Sequence, residues 1–413
     1  MQIFYNFALR LYYVGIRLAA LSSTKAKQWV EGRKDWEKQL SSFNATQGTA
    51  KQDRVWVHCA SLGEFEQGRT LIESIKERFP NKIILLTFFS PSGYEVRKNY
   101  AAADGIFYLP LDSKRNAKRF IQLAQPNVAI FVKYEFWYHY LSQLQQAKVP
   151  TYLISAVFRP DHIFFQAYGS FFRKLLRYFD HIFVQDQSSK KLLEKIGLSA
   201  ISLAGDTRVD RVAQIPKEGK HFPLIQSFVG TAPCLVAGST WPADEQLLKK
   251  AIAEALDSDW KIIIAPHDIA ESHLKRIEQL FPEQLIRYSQ LSGQAAAAYR
   301  YLLIDNIGML QSLYRYGKIA YIGGGFGNGI HNTLEPITFG LPVIFGPKYQ
   351  KFEEAKQLIQ SGGGFTVADG DELVSSLQLL LEETTYENAS QRAKEYITNN
   401  QGGTDKILAH LFG

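Results

Sequence analysis

The sequence predicts an α/β fold built from two parallel-sheet halves, and three observations carry that prediction. From Arg54 onward, short β-branched runs alternate with stretches of helical spacing, the pattern of a parallel sheet covered by helices on both faces. The alternation stops after Gly205 and resumes at Cys234, giving two series. The length of 413 residues exceeds what one typical core serves and suits two domains.

The first series runs RVWVHC from Arg54, KIILLTFF from Lys82, GIFYLPL from Gly105, NVAIFV from Asn127, PTYLISAV from Pro150 and HIFVQD from His181. Residues 64–79 and 113–124 between them place apolar side chains at helical spacing. Residues 206–232 hold Pro216, Gly219, Pro223 and Gly230 with little periodicity, and read as a linker. The second series is CLVAGS from Cys234, WKIIIAP from Trp260, LIRYS from Leu285, YLLID from Tyr301, KIAYIGG from Lys318 and LPVIFG from Leu341. Two such halves predict a cleft between facing carboxyl edges, where ligands of open α/β sheets bind. The expected organisation is an N-terminal helix over 1–30, a first domain over 31–212, a linker over 213–232 and a second domain over 233–400. A C-terminal helix over 401–413 then packs back toward the first domain.

Composition narrows the function. Hydrophobic residues make up 46% and charged residues 21%, which excludes a disordered chain and a polytopic membrane protein. The formal net charge of +7 favours anionic partners such as nucleotide phosphates and phosphorylated lipids. No RNA-binding signature or compact Lys/Arg run accompanies it, so nucleic acid is not expected. Cys59 and Cys234 are the only cysteines, too few and too far apart for a disulfide framework or a zinc cluster. That usage fits a reducing compartment, the cytoplasm.

Residues 1–21 are rich in aromatic and aliphatic side chains but are interrupted by Asn6, Arg10 and Arg17. Two arginines in a stretch that short argue against a spanning helix, and no small-residue cleavage site follows it. Arg10 and Arg17 share one helical face, while Phe4, Leu11, Val14 and Leu18 share another. Either an amphipathic helix lies in a membrane interface with its basic side on anionic headgroups, or the helix packs on its own domain.

The first strand runs straight into Ala60-Ser61-Leu62-Gly63-Glu64. Ser61 can cap the following helix, and Gly63 lets the backbone bend or approach a ligand. Glu64 then sits at the carboxyl edge of the strand, where a carboxylate can take a proton from an attacking sugar hydroxyl. The plainer alternative is a first-turn acid complementing the helix dipole.

The second motif is longer: Ile322-Gly323-Gly324-Gly325-Phe326-Gly327, then Gly329-Ile330-His331-Asn332-Thr333-Leu334-Glu335-Pro336. Glycines after an apolar strand let main chain approach a phosphate, and the next helix, starting near Asn332 or Thr333, offers free N–H groups. Glu335 is placed to accept hydrogen bonds from nucleotide hydroxyls or a base. Three further strand ends join this rim: Ser239 and Thr240 after CLVA, His267 after WKIIIAP, and the loop holding Gly308 and Met309, whose backbone could read a nucleobase. In the first domain Lys133, Tyr134, Glu135, Trp137 and Arg159 gather at strand ends and could face an anionic acceptor. The aromatic tract 164–179, with Arg173, Lys174 and Arg177, either touches lipid or forms an amphipathic core helix.

These residues resemble the Kdo transferases, the family that attaches 3-deoxy-D-manno-octulosonic acid (Kdo) to lipid A. The family's Ser-x-Gly-Glu strand end is matched by Ser61, Gly63 and Glu64. Its Gly-x-His-Asn-x-Leu-Glu-Pro motif is matched by Gly329, His331, Asn332, Leu334, Glu335 and Pro336, after Gly323, Gly324 and Gly325. A Ser-Thr strand end (Ser239, Thr240), a Glu-x-Trp motif (Glu135, Trp137) and the series Gly205, Asp206, Arg208 and Asp210 complete the likeness, in order, from about 56 to 347. The resemblance implies a GT-B fold of two facing Rossmann-like domains, the first binding acceptor and the second binding nucleotide sugar. It implies CMP-Kdo as donor, a lipid A precursor as acceptor, inversion at the anomeric centre, and no metal or other cofactor. Glu64 would be the general base; Ser61, Gly63, Lys133, Glu135 and Arg159 would face the acceptor. The donor would be held by Ser239, Thr240, His267, Gly308, Met309, Gly323, Gly324, Gly325, His331, Asn332 and Glu335. The N-terminal segment would hold the enzyme on the cytoplasmic face of the inner membrane. The chain departs from the family pattern at Lys133 (usually acidic), Tyr138 (usually Pro) and Asp206 (usually Asn). Ser155-Ala156-Val157 stands for Asn-Ala-Arg, and Pro266-His267-Asp268 for Pro-Arg-His.

Overall fold

The computed structural model describes residues 1–46, 53–218, 220–292 and 296–413; Gly219, part of the expected linker, lies outside the described residues. The chain forms two compact units, Met1–Asp210 with Gly402–Gly413, and Arg211–Gln401.

The first unit is a seven-stranded parallel sheet of β1 (Arg54–Cys59), β2 (Ile83–Phe88), β3 (Gly105–Tyr108), β4 (Val128–Val132), β5 (Thr151–Ala156), β6 (His181–Val184) and β7 (Ile201–Leu203). Its order is β3-β2-β1-β4-β5-β6-β7. Every residue of β1 and β2 is buried, as expected of strands covered on both faces. After β3 the chain crosses to the other side of β1, so β1 and β4 are neighbours at the topological switch point.

The second unit repeats the plan with β8 (Cys234–Thr240), β9 (Lys261–Pro266), β10 (Leu285–Arg287), β11 (Tyr301–Leu303), β12 (Ile319–Ile322), β13 (Val343–Phe345) and β14 (Gly364–Thr366). Its order is β10-β11-β9-β8-β12-β13-β14, so the switch point falls between β8 and β12. The edge strands β7 and β14 are absent from the sequence-based expectation. Each is three residues long, too short for periodicity to register, and each is defined by pairing to its neighbour.

Residues 206–232, read as a linker, contain three helices among the described residues, Thr207–Val212, Ile215–Glu218 and Pro223–Val229. Pro223 sits in the first turn, where its missing N–H costs nothing, and Ile225 and Phe228 are buried in the second unit. The C-terminal helix Gly403–Phe412 is part of the first unit. The Asp210 carboxylate accepts from the backbone N–H groups of Gly402 (2.5 Å) and Thr404 (2.7 Å) at that helix's start, and Phe412 packs on Phe79 with ring centroids 5.0 Å apart.

At the N-terminus, helix Gln2–Ala19 has no buried residue but is tied down along one side. The Tyr5 hydroxyl donates to Asp112 at 2.5 Å, Asn6 Oδ1 lies 2.7 Å from His139 Nε2, and Tyr12 packs edge-on against Trp29. Arg33 stacks on the same Trp29 ring at 3.8 Å and donates to the Leu109 and Trp29 carbonyls. The other side leaves Ile3, Phe4, Phe7, Leu11, Val14 and Leu18 exposed. The helix packs on its own unit along one side and leaves the other side apolar and open. Among the described residues no helix is long and apolar enough to cross a membrane.

Candidate active site

In the first unit the site grows from the carboxyl ends of β1 and β4. The helix Leu62–Arg78 starts directly after β1, with Ser61 at its N-cap position. The Ser61 hydroxyl caps no backbone N–H; it donates to the Glu64 carboxylate. That bond holds Glu64 within the first turn, where the free N–H groups favour negative charge. A Cβ at Gly63 would meet only Ser61 Oγ, at 3.7 Å, and Gly63 has no positive φ. Among the described residues nothing therefore requires glycine there.

Next to it, β4 is followed by Lys133-Tyr134-Glu135. Lys133 has φ +66°, a left-handed conformation that costs a side-chain-bearing residue about 1 kcal/mol or more. Burial pushes the Tyr134 phenol above its ordinary pKa; Arg159 opposes that shift, while Asp186 and Glu64 add to it. Arg159 and Glu64 are thus both within electrostatic reach of Tyr134. Glu135 is turned inward and only 7% exposed. Its Oε2 accepts from the Trp137 indole at 2.6 Å and lies 2.9 Å from His58 Nε2. His58 Nδ1 is in turn 2.8 Å from Thr87 Oγ1, which also accepts from the Trp56 indole. With the Thr87 hydroxyl donating to Nδ1 and Nε2–H donating to Glu135 Oε2, every member of the chain is satisfied.

In the second unit the predicted donor residues come from the carboxyl ends of four strands of one sheet. Ser239 and Thr240 end β8, His267 follows β9, Gly308 and Met309 follow β11, and Gly323, Gly324 and Gly325 follow β12. Ser239 has φ +54°. The Thr240 hydroxyl is fully buried and donates to Glu245 at 3.1 Å. A Cβ on Gly323 would stand 2.3 Å from the Ser239 carbonyl oxygen, and one on Gly325 would stand 2.6 Å from Gly346 Cα. These two glycines are demanded by the approach of neighbouring loops, and Gly324 by its φ of +91°. Gly308 also has positive φ, +94°, with open space around it.

Three rings stack at this edge. His267 lies between Trp241 and His331, with centroids 4.5 Å away on each side. Trp241 Nε1 donates to His331 Nε2 at 3.1 Å, so the His331 proton resides on Nδ1. Burial, and secondarily His267, lowers the His331 pKa, in keeping with a neutral ring. Asn332 Oδ1 accepts from the Leu334 N–H at 3.0 Å, capping the short helix Leu334–Ile337, and its amide donates to Glu335 at 3.0 Å.

Sequence reasoning missed three residues that organise these edges. Asp244 is buried, and its Oδ2 accepts from Trp241 N–H and Gly324 N–H, both at 2.9 Å, while Oδ1 accepts from the Tyr321 hydroxyl at 2.8 Å. One carboxylate thereby ties the end of β8 to the end of β12 and occupies the Gly324 N–H. Burial raises its pKa, and those three bonds offset part of the rise. Glu245 pairs with His273 at 2.8 Å behind Thr240. His58 was the detectable one, a polar ring directly after the apolar Val55-Trp56-Val57 of a strand whose every residue is buried.

Residues 34–211 match the family described as 3-deoxy-D-manno-octulosonic-acid transferase (kdotransferase). The chain is 32% identical over 348 residues to the 3-deoxy-D-manno-octulosonic acid transferase of Aquifex aeolicus (strain VF5), covering 83% of this chain and 90% of that protein. It is 25% identical to the enzyme of the same description from Rickettsia felis, covering 86% and 78% of the two chains. Among solved structures, a putative UDP-N-acetylglucosamine 2-epimerase from Listeria monocytogenes superposes with a TM-score of 0.63 at 13% identity, over 87% of this chain and 96% of that one. That likeness speaks to the fold, an α/β architecture of the GT-B class with two Rossmann-like units. Identity and coverage together place this chain in the 3-deoxy-D-manno-octulosonic acid transferase family of glycosyltransferases.

Proposed function

We propose that the protein transfers Kdo from CMP-Kdo to a lipid A precursor, with inversion at the anomeric carbon. The observation that carries this reading is Glu64 at the carboxyl end of β1, held by Ser61 beside the switch point of the first sheet, in a chain of this family. The Glu64 carboxylate takes the proton of an acceptor hydroxyl as its oxygen attacks the anomeric carbon of Kdo. The bond from that carbon to the phosphate oxygen breaks, and CMP leaves with the electron pair. Gly63 lets the acceptor approach the helix start, a use suggested by the room around it. Lys133 and Arg159 supply positive charge for an anionic acceptor, and Glu135 supports that wall from behind by holding Trp137.

The second unit binds the donor in this reading. His267 and His331 contribute ring N–H donors beside Ser239 and the loop of Gly323, Gly324 and Gly325 for the phosphate. Asn332 and Glu335 receive the nucleoside hydroxyls, and the backbone at Gly308 and Met309 reads the base. Thr240 acts through Glu245. The exposed apolar side of helix Gln2–Ala19 rests on an anionic membrane surface, the cytoplasmic face of the inner membrane. The reading needs no metal or other cofactor.

The test is CMP release from CMP-Kdo by the purified full chain, with and without a tetra-acylated lipid A precursor. Lipid-dependent release is the expected result. Release from a UDP-sugar but not from CMP-Kdo would replace the donor, and release that ignores the lipid would replace the acceptor.

A further inference from the structure

A second candidate site lies in the first unit, away from the strand ends. Gln145, Ser170, Arg173, Lys174, Arg177 and Tyr178 line a cavity of about 520 Å³. Three of the six are cations, and no described carboxylate lines it. Arg173 is fixed, donating from Nη1 to the carbonyls of Phe164 (3.0 Å) and Gln166 (2.8 Å). Lys174 and Arg177 are exposed. Like charges gathered on one concave surface repel one another, and an anion entering the cavity relieves that repulsion.

The cavity shares an aromatic cluster with the N-terminal helix. The Tyr178 ring, part of its lining, meets Tyr138 at 6.3 Å; Tyr138 and Phe171 both meet Tyr5, at 5.9 and 6.0 Å. On either side of Tyr5 the helix exposes Ile3 (81%), Phe4 (72%) and Phe7 (59%). A cationic cavity linked through Tyr178, Tyr138 and Tyr5 to the packed side of a helix whose other side is open and apolar matches an amphiphile with a compact, highly charged head. We infer that this cavity is a binding site for the phosphate monoester head of a lipid, with the acyl portion lying against the exposed side of helix Gln2–Ala19. A monoester carries about two negative charges near neutral pH and three strong acceptor oxygens, suiting a cavity lined by three cations better than a singly charged diester does. The inference does not rest on the transferase reading, because it uses none of the residues at the sheet edges.

The experiment is flotation of the full chain with phosphatidylcholine vesicles containing phosphatidate, compared with vesicles of equal surface charge containing phosphatidylglycerol. Phosphatidate vesicles should bind more tightly than phosphatidylglycerol vesicles. The double variant Lys174→Gln with Arg177→Gln should lower phosphatidate binding about thirtyfold, at about fivefold per membrane-facing cation. A control, Lys249→Gln with Lys275→Gln, removes the same charge from the second unit and should bind as the native chain does. Equal binding to both lipids, or an equal loss in the control, would reduce the effect to general charge attraction and overturn the site. Inorganic phosphate bound as tightly as the phosphatidate vesicles would overturn the lipid assignment in favour of free phosphate. Far-UV circular dichroism of both variants confirms that folding is intact, and CMP release read in parallel separates this site from the proposed catalysis.

Discussion

His58 Nε2 lies 2.9 Å from Glu135 Oε2, and both side chains are withdrawn from water. A buried pair is expensive to break from one side, because the remaining partner keeps its desolvation cost and loses its hydrogen bond. Glu135→Ala removes the carboxylate that both His58 and Trp137 meet and leaves the two rings only each other, at 3.2 Å. It should lower unfolding stability by about 3 kcal/mol in urea titrations. Glu135→Gln, which keeps an oxygen in place, should cost less than half of that. Equal stability of the alanine variant would mean that the pair is not a structural element.

Glu64 makes no contribution of that kind, since among the described residues its carboxylate accepts a hydrogen bond from a hydroxyl three residues away and from no buried partner. Glu64→Gln should leave the melting temperature nearly unchanged and lower lipid-dependent CMP release by about 10²- to 10⁴-fold, the usual worth of a general base. Full turnover in the glutamine variant would remove Glu64 from the mechanism whatever the substrate.

Asp112 predicts a pH dependence of stability. Burial raises its carboxyl from 3.8 to about 6, with the Tyr5 hydroxyl and the N–H groups of His139 and Tyr140 holding the rise in check. The folded state therefore binds this proton more tightly than the unfolded state. The stabilisation is fully present below about pH 4 and is lost as pH rises through about 6. Its size is about 3 kcal/mol. Asp112→Asn should flatten this part of the stability–pH curve between pH 4 and 6, measured by denaturant titration at each pH; a slope identical to the native chain's would assign it to other groups.

The two glycine motifs should respond differently to one methyl group. Gly324→Ala forces an alanine to φ +91° with its Cβ 2.5 Å from the Gly329 carbonyl oxygen, and should cost about 2 kcal/mol or more of stability. Gly63→Ala meets no such obstacle and should change stability by about 0.5 kcal/mol at most. Its effect should instead appear as a raised KM for the lipid acceptor in steady-state CMP release. An unchanged KM would show that the open space at Gly63 is not used.

Asp244→Ala removes the acceptor shared by Trp241 N–H and Gly324 N–H. CMP affinity, read by calorimetry, should fall at least tenfold as the β8 and β12 ends lose their common tie, a drop of about 1.4 kcal/mol or more. Undiminished CMP binding would make Asp244 a purely structural group.

The sequence by itself determined most of the architecture. Strand runs such as VWVHC and KIIIAP are local, and burial on both faces makes them largely apolar, so twelve of the fourteen strands among the described residues could be read without pairing information. The positions of Glu64 after β1 and of the glycines after β12 were legible for the same reason, since each motif abuts its strand. Tertiary structure alone decided what those positions do to one another. His58 and Glu135 are 77 residues apart, and Asp244 and Gly324 are 80 apart; they meet only because the chain crosses at a switch point and lays β1 beside β4 and β8 beside β12. The left-handed backbone at Lys133, Ser155 and Ser239 was equally invisible, because side-chain-bearing residues adopt it only where the surrounding packing imposes it. Spacing along a chain reports local periodicity, whereas these contacts depend on which strands become neighbours, and no stretch of sequence shorter than the sheet contains that information.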